Sequence, residues 1–252
     1  MVKKMVQVIQ RSLNILETIA EKGEGFGILE LARKIRLPNS TVHRLLNSLK
    51  NQGYVIQDPS TGKYSLGYKI LSLAGKLLEG RNLKNLAVPY LKELTRKSGE
   101  TSHLVIFDGE DAICIESVEC SSNMRVCSPV GEKNPLHCTA VGKAILANLP
   151  EETKNSFLKK SLKNFTENTL TSPGKLKAEL DAVKKNGYAV DREEYQAGIS
   201  CVAAPIRDVR GTVTYAVGIS YPSFRISKEK EREFIKYVKE TSRRIGELFG
   251  GN

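Results

Sequence analysis

The sequence contains no apolar run that approaches the roughly 18 residues needed to cross the hydrocarbon core of a membrane. Its first residues also lack the apolar segment of a secretory signal peptide. We therefore expect no membrane span, no secretion and a cytoplasmic location. Internal repeats and low-complexity segments are absent as well, and 40% hydrophobic with 27% charged residues is ordinary for a globular chain of 252 residues.

Cysteine is absent from the first 110 residues, and the five cysteines that follow are an odd number. Without a signal peptide, an odd count argues for reduced thiols and against a disulfide framework. No C-x₂-C or similar spacing occurs, so the sequence contains no zinc motif and we expect no required cofactor.

Acidic residues are absent between Leu31 and Gln57, a region that holds five basic residues. The whole chain has a formal net charge of +11, and the positive excess is densest in this region. An excess of positive charge favours an anionic partner, most simply a nucleic acid.

This acid-free region has the residue pattern of a helix-turn-helix. Pro38 cannot lie inside a helix and pushes the residue before it toward an extended conformation, so the chain turns there. Asn39 or Ser40 can then cap a new helix by accepting a hydrogen bond from a free backbone N–H. In this helix four apolar residues recur at spacings of three and four and predict one buried stripe: Val42, Leu45, Leu46 and Leu49.

The outward face of the same helix carries neutral and basic donors, which suit contacts with phosphates and base edges. The residues predicted to contact DNA on this helix are Ser40, Thr41, His43, Arg44 and Asn47. The alternative for each is an ordinary solvated side chain, because the sequence does not show how the helix docks.

The surrounding elements predict a winged helix-turn-helix domain over residues 1–66. Apolar periodicity predicts two preceding helices, at about 7–21 and 28–35. Gly53 suits the end of the third helix. Two short strands form the wing, at 54–57 and 63–66, around a turn-forming segment. Lys63 lies near the tip of this wing and is a further predicted DNA contact.

Residues 67–81 are predicted to form a linker helix with more apolar residues than one face of a small domain requires. These residues are Ile70, Leu71, Ala74, Leu77 and Leu78. We expect the surplus to pack against a second copy of the chain, so that two recognition helices bind one palindromic operator.

After Gly99 the pattern changes from helical periodicity to strands alternating with helices, which predicts an α+β domain over residues 82–252. Strands are expected at about 101–107, 112–118, 124–128, 188–191, 200–207 and 212–220. Helices are expected at about 82–97, 139–146, 151–159 and 172–186, and from Ser227 to about Phe249. Pro89 is expected to bend or interrupt the first of these helices.

Three groups of motifs occur in order along the chain. They are LPNSTVHRLL (37–46) with GYV (53–55) and YSLG (64–67), then GETSHL (99–104) with PLHCTAVGKAIL (135–146), then GYAVD (187–191) with GISCVAAPI (198–206). In this order they resemble the IclR family of bacterial transcriptional regulators over nearly the whole chain.

The resemblance implies a winged helix-turn-helix domain, a GAF-like effector-binding domain, and a homodimer or a dimer of dimers. It implies a regulator that binds double-stranded DNA sequence-specifically and senses a small molecule, with repression as the expected action. An enzymatic function is not expected.

Seven residues here match the family's pocket positions: Thr139, Ala140, Val141, Asp191, Cys201, Gly218 and Ser220. A helix start such as that at Thr139 offers free N–H groups to an anion, so we expect a small anionic metabolite. Asp191 repels an anion unless it is protonated or bonded to a ligand hydroxyl or a water. Two departures from the family are Gly27, where Ser is frequent, and Cys138, where Ala is usual.

Cys201 leaves several alternatives open. It could be an ordinary buried thiol, or the nucleophile of a thiol hydrolase acting with a histidine. With Cys138 it could also bind a zinc ion, because both cysteines lie on segments expected to meet at the pocket. No accompanying histidine or asparagine pattern supports the hydrolase. The second domain could also serve dimerisation without any ligand.

Overall fold

The computed structural model describes residues 6–79, 83–208 and 210–248, and contacts divide the chain into two units, Met1–Arg81 and Asn82–Asn252. One hydrophobic core lies in the N-terminal unit and two lie in the C-terminal unit. Within the described residues, no helix combines the length and the apolar character needed to cross a membrane.

Three helices and a hairpin begin the N-terminal unit, as the sequence predicts. They are α1 (Gln7–Ala20), α2 (Ile28–Ile35), α3 (Asn39–Asn51), β1 (Val55–Gln57) and β2 (Tyr64–Leu66). The apolar positions at helical spacing meet in one core, where Ile15, Leu31, Val42 and Leu46 are fully enclosed. The apolar stripe of α3 therefore holds this helix in place and leaves its opposite face exposed.

The start of α3 differs from the prediction, because neither Asn39 nor Ser40 caps it. Pro38 occupies the N-cap position, and no side chain caps the helix. The Pro38 carbonyl accepts hydrogen bonds from the N–H groups of Thr41 (3.0 Å) and Val42 (3.1 Å). The proline ring fixes φ near the value found here, −58°, so Pro38 can end the turn and open the helix itself.

A glycine ends α3, as predicted. Gly53 has a φ of +77°. Its N–H bonds the carbonyl of Lys50 (3.0 Å), and the Tyr54 N–H bonds that of Leu49 (2.9 Å). A Cβ on Gly67 would come within 2.2 Å of the Gly53 carbonyl oxygen. The chain can therefore pass this close only because residue 67 is also a glycine.

The predicted wing is present as β1 and β2, which pair antiparallel around residues 58–62. The Asp58 carboxylate organises the turn by accepting hydrogen bonds from the Ser60 hydroxyl and N–H and from the Thr61 hydroxyl. These bonds lower the pKa of Asp58 to about 2. Phe26 adds two backbone hydrogen bonds to Tyr64 and widens the wing.

Helix α4 (Tyr68–Glu79) leaves much of its apolar surface exposed in the single chain. The exposed fractions of Tyr68, Leu71 and Leu73 are 79%, 69% and 44%. Leu77 and Leu78 were also predicted to belong to the apolar excess, but their side chains lie outside those that the structure describes. Apolar surface of this kind is typical of a partner interface.

A six-stranded sheet forms the centre of the C-terminal unit, and all its neighbouring strands are antiparallel. The strands are β3 (Thr101–Phe107), β4 (Ala112–Val118), β5 (Lys133–Asn134), β6 (Ala189–Arg192), β7 (Ile199–Arg207) and β8 (Val213–Pro222), in the order β5-β4-β3-β8-β7-β6. The register places Cys201 opposite Asp191 on one side and Ser220 on the other. These three polar residues thus share one face of the sheet.

Helices cover both faces of this sheet. Successive strand residues point to opposite sides, so each strand contributes side chains to both helix-covered cores. They are α5 (Leu83–Ser98), α6 (Ala140–Leu146), α7 (Glu151–Leu158), α8 (Pro173–Asn186) and α9 (Lys228–Glu247). Large residues such as Val202, Ile219 and Tyr221 pack in a core with α5 and α9. Small residues such as Ala203 and Ala216 pack in the core with α6 and α8.

Some details of the C-terminal unit differ from the predictions, whereas the other boundaries agree within two residues. Residues 124–128 form no strand. Instead β4 pairs with β5, and the Cys114 backbone bonds Glu132 and Gly131, so this part of the β4 edge is already occupied. Helix α5 continues through Pro89. Helix α9 ends at Glu247, and the predicted end at Phe249 lies outside the described residues.

Candidate functional site

The exposed face of α3 presents together the residues predicted to contact DNA. Ser40, His43, Arg44 and Asn47 are exposed, and Thr41 is half-buried. The Asn47 amide nitrogen lies 3.4 Å from His43 Nδ1. The chain as described offers the Arg44 guanidinium neither a hydrogen bond nor an ion pair. An unpaired cation among neutral donors suits the phosphate backbone of DNA.

Lys63, the predicted wing contact, is half-buried and directly precedes β2. Its backbone N–H bonds the Thr61 hydroxyl at 3.3 Å. A hydrogen bond from Lys22 and, more weakly, the charge of Lys63 lower the pKa of Glu30. The charge of Lys63 therefore acts weakly on Glu30 of α2. No residue in the described part of the chain pairs with the Arg44 side chain in this way.

In the C-terminal unit, a cavity of about 470 Å³ including its mouth lies between the start of α6 and the sheet. Its lining comprises His103, Val126, Cys127, Ser128, Glu132, Asn134, Thr139, Ala140, Val141, Asp191, Tyr195, Gln196, Ile199, Cys201 and Ser220. The structure thus brings together six of the seven residues that the family resemblance assigned to a pocket. The seventh, Gly218, is not part of the lining.

Thr139 sets the start of α6 at the cavity. Its hydroxyl accepts a hydrogen bond from the Gly142 N–H (3.0 Å) and donates one to the Pro135 carbonyl (2.8 Å). A Cβ on Gly142 would come within 2.4 Å of that carbonyl oxygen, so glycine lets the preceding loop pack closely. The N–H groups of Ala140 and Val141 belong to the first turn, where a helix supplies no carbonyl partner.

Gly218 makes room for two residues of the lining. A Cβ at this position would come within 2.9 Å of His103 Nε2 and 3.0 Å of Val141 Cγ1. The missing side chain of β8 therefore shapes the cavity indirectly, by letting these two side chains lie against the strand.

Asp191 is 2% exposed and enters the cavity lining from β6. Burial raises its pKa to about 7, although a hydrogen bond from the Glu194 N–H (2.7 Å) to its Oδ1 opposes this shift. The raised pKa favours the protonated form of Asp191 compared with an exposed aspartate. The protonated carboxyl can donate a hydrogen bond to an anion.

A buried ion pair holds α6 in position behind the cavity. Lys143 has no exposed surface. Its Nζ lies 2.5 Å from Glu194 Oε1 and 3.1 Å from Glu179 Oε1. Glu194 follows β6 and Glu179 lies on α8, so one ammonium group joins three elements. Sequence reasoning did not single out this lysine.

The thiols near the cavity are not activated. Cys201 Sγ lies 3.1 Å from Ser220 Oγ. Burial raises the pKa of Cys201, and raises that of Cys138 to about 12. Nucleophilic thiols have a lowered pKa, so the environment of Cys201 is opposite to that of a thiol hydrolase. Over residues 6–79, 83–208 and 210–248, no three His, Cys, Asp or Glu side chains group closely enough to hold a metal ion.

Several cavity residues come from segments that no motif marks. Residues 126–128 belong to a loop, and Tyr195 and Gln196 follow β6. Glu132 and Asn134 stand just before the PLHCTAVGKAIL motif, which is the one sequence signal that could have indicated them. The rest depend on contacts between distant parts of the chain.

Comparisons with known proteins find the same family for both units. The family model described as IclR helix-turn-helix domain matches residues 8–59, and that described as bacterial transcriptional regulator IclR C-terminal matches residues 75–247. The transcriptional repressor IclR of Escherichia coli (strain K12) is 38% identical over 249 residues, which are 98% of this chain and 91% of the relative. The regulator KdgR of Dickeya chrysanthemi is 34% identical over 246 residues, or 97% and 80%. The crystal structure of Thermotoga maritima IclR superposes with a TM-score of 0.78 at 33% identity, over 96% of this chain and 98% of that one.

Proposed function

The chain belongs to the IclR family and is a DNA-binding transcriptional regulator with a C-terminal effector-binding domain, and we propose that it is a repressor controlled by a small carboxylate bound in the cavity at the start of α6. The observation that carries this proposal is that the first turn of α6, whose N–H groups have no helical partner, and the buried Asp191 line the same cavity. In the proposed complex, the Ala140 and Val141 N–H groups and the protonated Asp191 hold the carboxylate.

The charge of the cavity means that hydrogen-bond donors, and not a cation, must hold the anion. Its lining includes two acids, Asp191 and Glu132, and no lysine or arginine. Burial raises the pKa of both acids. In the proposed complex, hydrogen-bond donors hold the carboxylate. The Cys201 thiol and the Ser220 hydroxyl bond each other at 3.1 Å, so this pair leaves one further donor for the ligand. No cofactor or metal is needed for such binding.

For the N-terminal unit, we propose that α3 enters the major groove of an operator and that the wing contacts the flanking backbone. The exposed apolar surface of α4 would pack against a second copy, giving a homodimer or a dimer of dimers on a palindromic site. A bacterial DNA-binding regulator acts in the cytoplasm, which is the location that we propose for this chain. We assign no enzymatic activity to the cavity.

Two measurements test this function together. Footprinting on the DNA upstream of the gene and its neighbours should show a protected site with half-site symmetry. A thermal-shift screen of small carboxylates and aromatic acids should yield a ligand that raises the Tm, is not consumed, and changes operator affinity. A monomer at micromolar concentration, protection without symmetry, or turnover of the stabilising ligand would contradict the proposal.

Arg44→Ala should weaken specific operator binding by about 1–3 kcal/mol if the guanidinium contacts a base, or lower the salt slope by about one if it contacts a phosphate. Within the described residues the Arg44 side chain forms no hydrogen bond or ion pair, so the substitution removes none. Fluorescence anisotropy over a series of salt concentrations measures both quantities. Arg210→Ala removes the same charge from an exposed turn of the C-terminal unit and should change neither. Unchanged affinity and slope in Arg44→Ala would place this residue outside the interface.

The double variant Cys201→Ala with Ser220→Ala should weaken effector binding by about 1.5–3 kcal/mol and keep operator affinity without ligand, because the donor that this bonded pair offers the carboxylate is lost. Calorimetric titration and ligand-dependent release from the operator measure this loss. Ser200→Ala is a matched control, because Ser200 bonds Ser223 and is not part of the cavity lining. A wild-type response of the double variant would show that the effector binds elsewhere.

A further inference from the structure

An arginine in the turn between α2 and α3 has a backbone conformation that favours glycine. Arg36 directly follows α2 and has a φ of 54° and a ψ of 47°, in the left-handed region. Its N–H bonds the Arg33 carbonyl (3.3 Å), and the Leu37 N–H bonds the Ala32 carbonyl (3.0 Å). These two bonds form a Schellman motif, whose left-handed position is usually a glycine. The way in which α2 ends therefore requires the left-handed conformation at residue 36.

The Cβ of Arg36 makes this conformation costly. In the left-handed region Cβ lies too close to the following carbonyl oxygen, which lowers the ratio of folded to unfolded chains about fivefold. Asparagine and aspartate tolerate the region better, because their short side chains bond the local backbone. A glycine would close the same turn without this cost. The fold alone therefore gives no reason for an arginine at this position, and such costly conformations concentrate at functional sites.

The other left-handed residue with a side chain, among those that the structure describes, is Glu193. It has a φ of 60°, and its carboxylate accepts a hydrogen bond from the Gly198 N–H (2.8 Å). The Glu193 side chain thus stabilises the segment that leads into β7. The Arg36 side chain is exposed, and it forms no hydrogen bond or ion pair with any described residue. Its guanidinium is therefore available to a partner outside the chain.

We propose that the Arg36 guanidinium contacts a phosphate of the DNA backbone at the edge of the groove that α3 enters. Binding to DNA then offsets the stability that the left-handed backbone of Arg36 costs the free chain. This inference rests on the proposed docking of α3. It adds to the DNA interface a residue that lies outside both α3 and the wing.

The position of Arg36 in the motif places it near the backbone of bound DNA. Arg36 lies three residues before Asn39, where α3 begins, so at most about 10 Å of chain separates the two residues. In helix-turn-helix complexes the first residues of the second helix reach the base edges, while the preceding helix crosses the phosphate backbone. The major groove is about 12 Å wide, so a residue at the end of α2 lies beside one of its walls.

The charge around Arg36 suits a phosphate. No acid occurs between Leu31 and Gln57. Lys34, two residues earlier, pairs with Glu21 at the end of α1, so its charge is partly compensated. A guanidinium can donate two parallel hydrogen bonds to one phosphate, which an ammonium cannot. Because phosphates are the same at every base pair, Arg36 should strengthen binding to any sequence and add no base preference.

Three substitutions separate the charge of Arg36 from its backbone strain. Arg36→Gly removes both, Arg36→Gln removes the charge and keeps the Cβ, and Arg36→Lys keeps the charge and the Cβ. Arg210→Gln removes the same charge from an exposed turn of the C-terminal unit and is the matched control. Fluorescence anisotropy of the full chain over a series of salt concentrations measures binding to two labelled duplexes. One has the sequence upstream of the gene, and the other has an unrelated sequence.

Arg36→Gly and Arg36→Gln should each lower the salt slope by about one per bound chain. They should weaken binding to both duplexes by the same factor, about fivefold at roughly 0.1 M salt. Arg36→Lys should keep the slope, and Arg210→Gln should keep both slope and affinity. Stability should change in the opposite direction from binding. In Arg36→Gly, peptides of α2 and α3 should exchange amide hydrogens about two- to fivefold more slowly than in the wild type, whereas in Arg36→Gln they should not.

Each outcome of these measurements is decisive. A wild-type slope in Arg36→Gln, an equal loss of slope in Arg36→Lys, or a loss confined to the upstream duplex overturns the phosphate contact. Faster hydrogen exchange in Arg36→Gly than in the wild type overturns the account of its strain. Arg44→Ala distinguishes this contact from the docking of α3. If Arg44→Ala and Arg36→Gln both bind like the wild type, the docking fails as well, and if only Arg36→Gln does, the Arg36 contact fails alone.

Discussion

Replacing Lys143 with methionine should destabilise the C-terminal unit by about 3–5 kcal/mol at pH 8, because it leaves a buried carboxylate without its cation. Glu194 is 7% exposed, and its Oε2 already has no partner in the described residues. Glu179 is partly exposed and should contribute little to the loss. The loss should be smaller at pH 5, because Glu194 can then bind a proton in place of the lysine charge. Urea unfolding measures it, with hydrogen exchange of β7 peptides reporting the C-terminal unit separately.

The chain contains a close control for this substitution. Lys154 is also buried, at 5% exposure, but its partner Glu151 has a side chain that is 67% exposed. Water can solvate Glu151 after Lys154→Met, so that change should cost about 1 kcal/mol or less. The double variant Lys143→Met with Glu194→Leu removes both buried charges and should recover most of the lost stability. Equal losses of unfolding free energy in Lys143→Met and Lys154→Met would show that burial of the partner carboxylate does not increase the cost of removing the lysine.

Affinity for a carboxylate effector should fall about tenfold for each pH unit above about 7, because only the protonated Asp191 donates a hydrogen bond to the anion. Below pH 7 the affinity should level off, since Asp191 is then mostly protonated. Asp191→Asn supplies a neutral donor at every pH. Its affinity should therefore stay nearly constant from pH 6 to pH 9, which calorimetric titration in buffers of matched ionic strength can measure.

The raised pKa of Asp191 also makes the stability of the fold decrease as the pH rises. Its pKa is raised in the folded state, so the folded chain holds a proton that the unfolded chain releases above about pH 4. The contribution of Asp191 to stability should thus decline between about pH 4 and pH 7, and Asp191→Asn should lack that decline.

Three other ionisable groups lie near the cavity, and the effect of their titration on binding must be distinguished from that of Asp191. Burial lowers the pKa of His103 to about 4 and raises the pKa of Glu132, while Glu194 is paired with Lys143. Glu132→Gln is the control that shows whether the second cavity acid titrates in the same range. If Asp191→Asn keeps the wild-type pH dependence of binding, another group carries it.

Local patterns predicted the parts of the fold that depend on neighbours in sequence. The buried stripe of α3 follows from apolar spacing, and Gly53 and Thr139 end and begin helices through bonds to residues at most four positions away. The turn at Pro38 was predicted correctly, but the predicted cap by Asn39 or Ser40 was wrong. Pro38 itself occupies the N-cap position, because its ring already fixes a suitable φ, and both polar residues lie inside the helix.

Contacts between distant residues were the part that the sequence could not predict. Lys143 and Glu194 are 51 residues apart, and nothing in either segment indicates the other. Residues 124–128 have an acceptable strand composition, but β5 already occupies the edge of β4. The cavity residues were predicted because a family resemblance supplied residues from four separate segments, at the start of α6 and on β6, β7 and β8. His103 belongs to the GETSHL motif, but its position beside Gly218 follows only from the register of β3 with β8.

The alternation of residues along β7 and β8 has a consequence for how such a regulator can change its specificity. Cavity residues Cys201 and Ser220 are neighbours of Val202 and Ile219, which pack against the opposite helices. In the proposed complex, ligand recognition and structural support therefore depend on alternate side chains of the same strands. A gene-duplicated copy could acquire a different inducer by successive single substitutions on one face, without passing through an unfolded intermediate sequence.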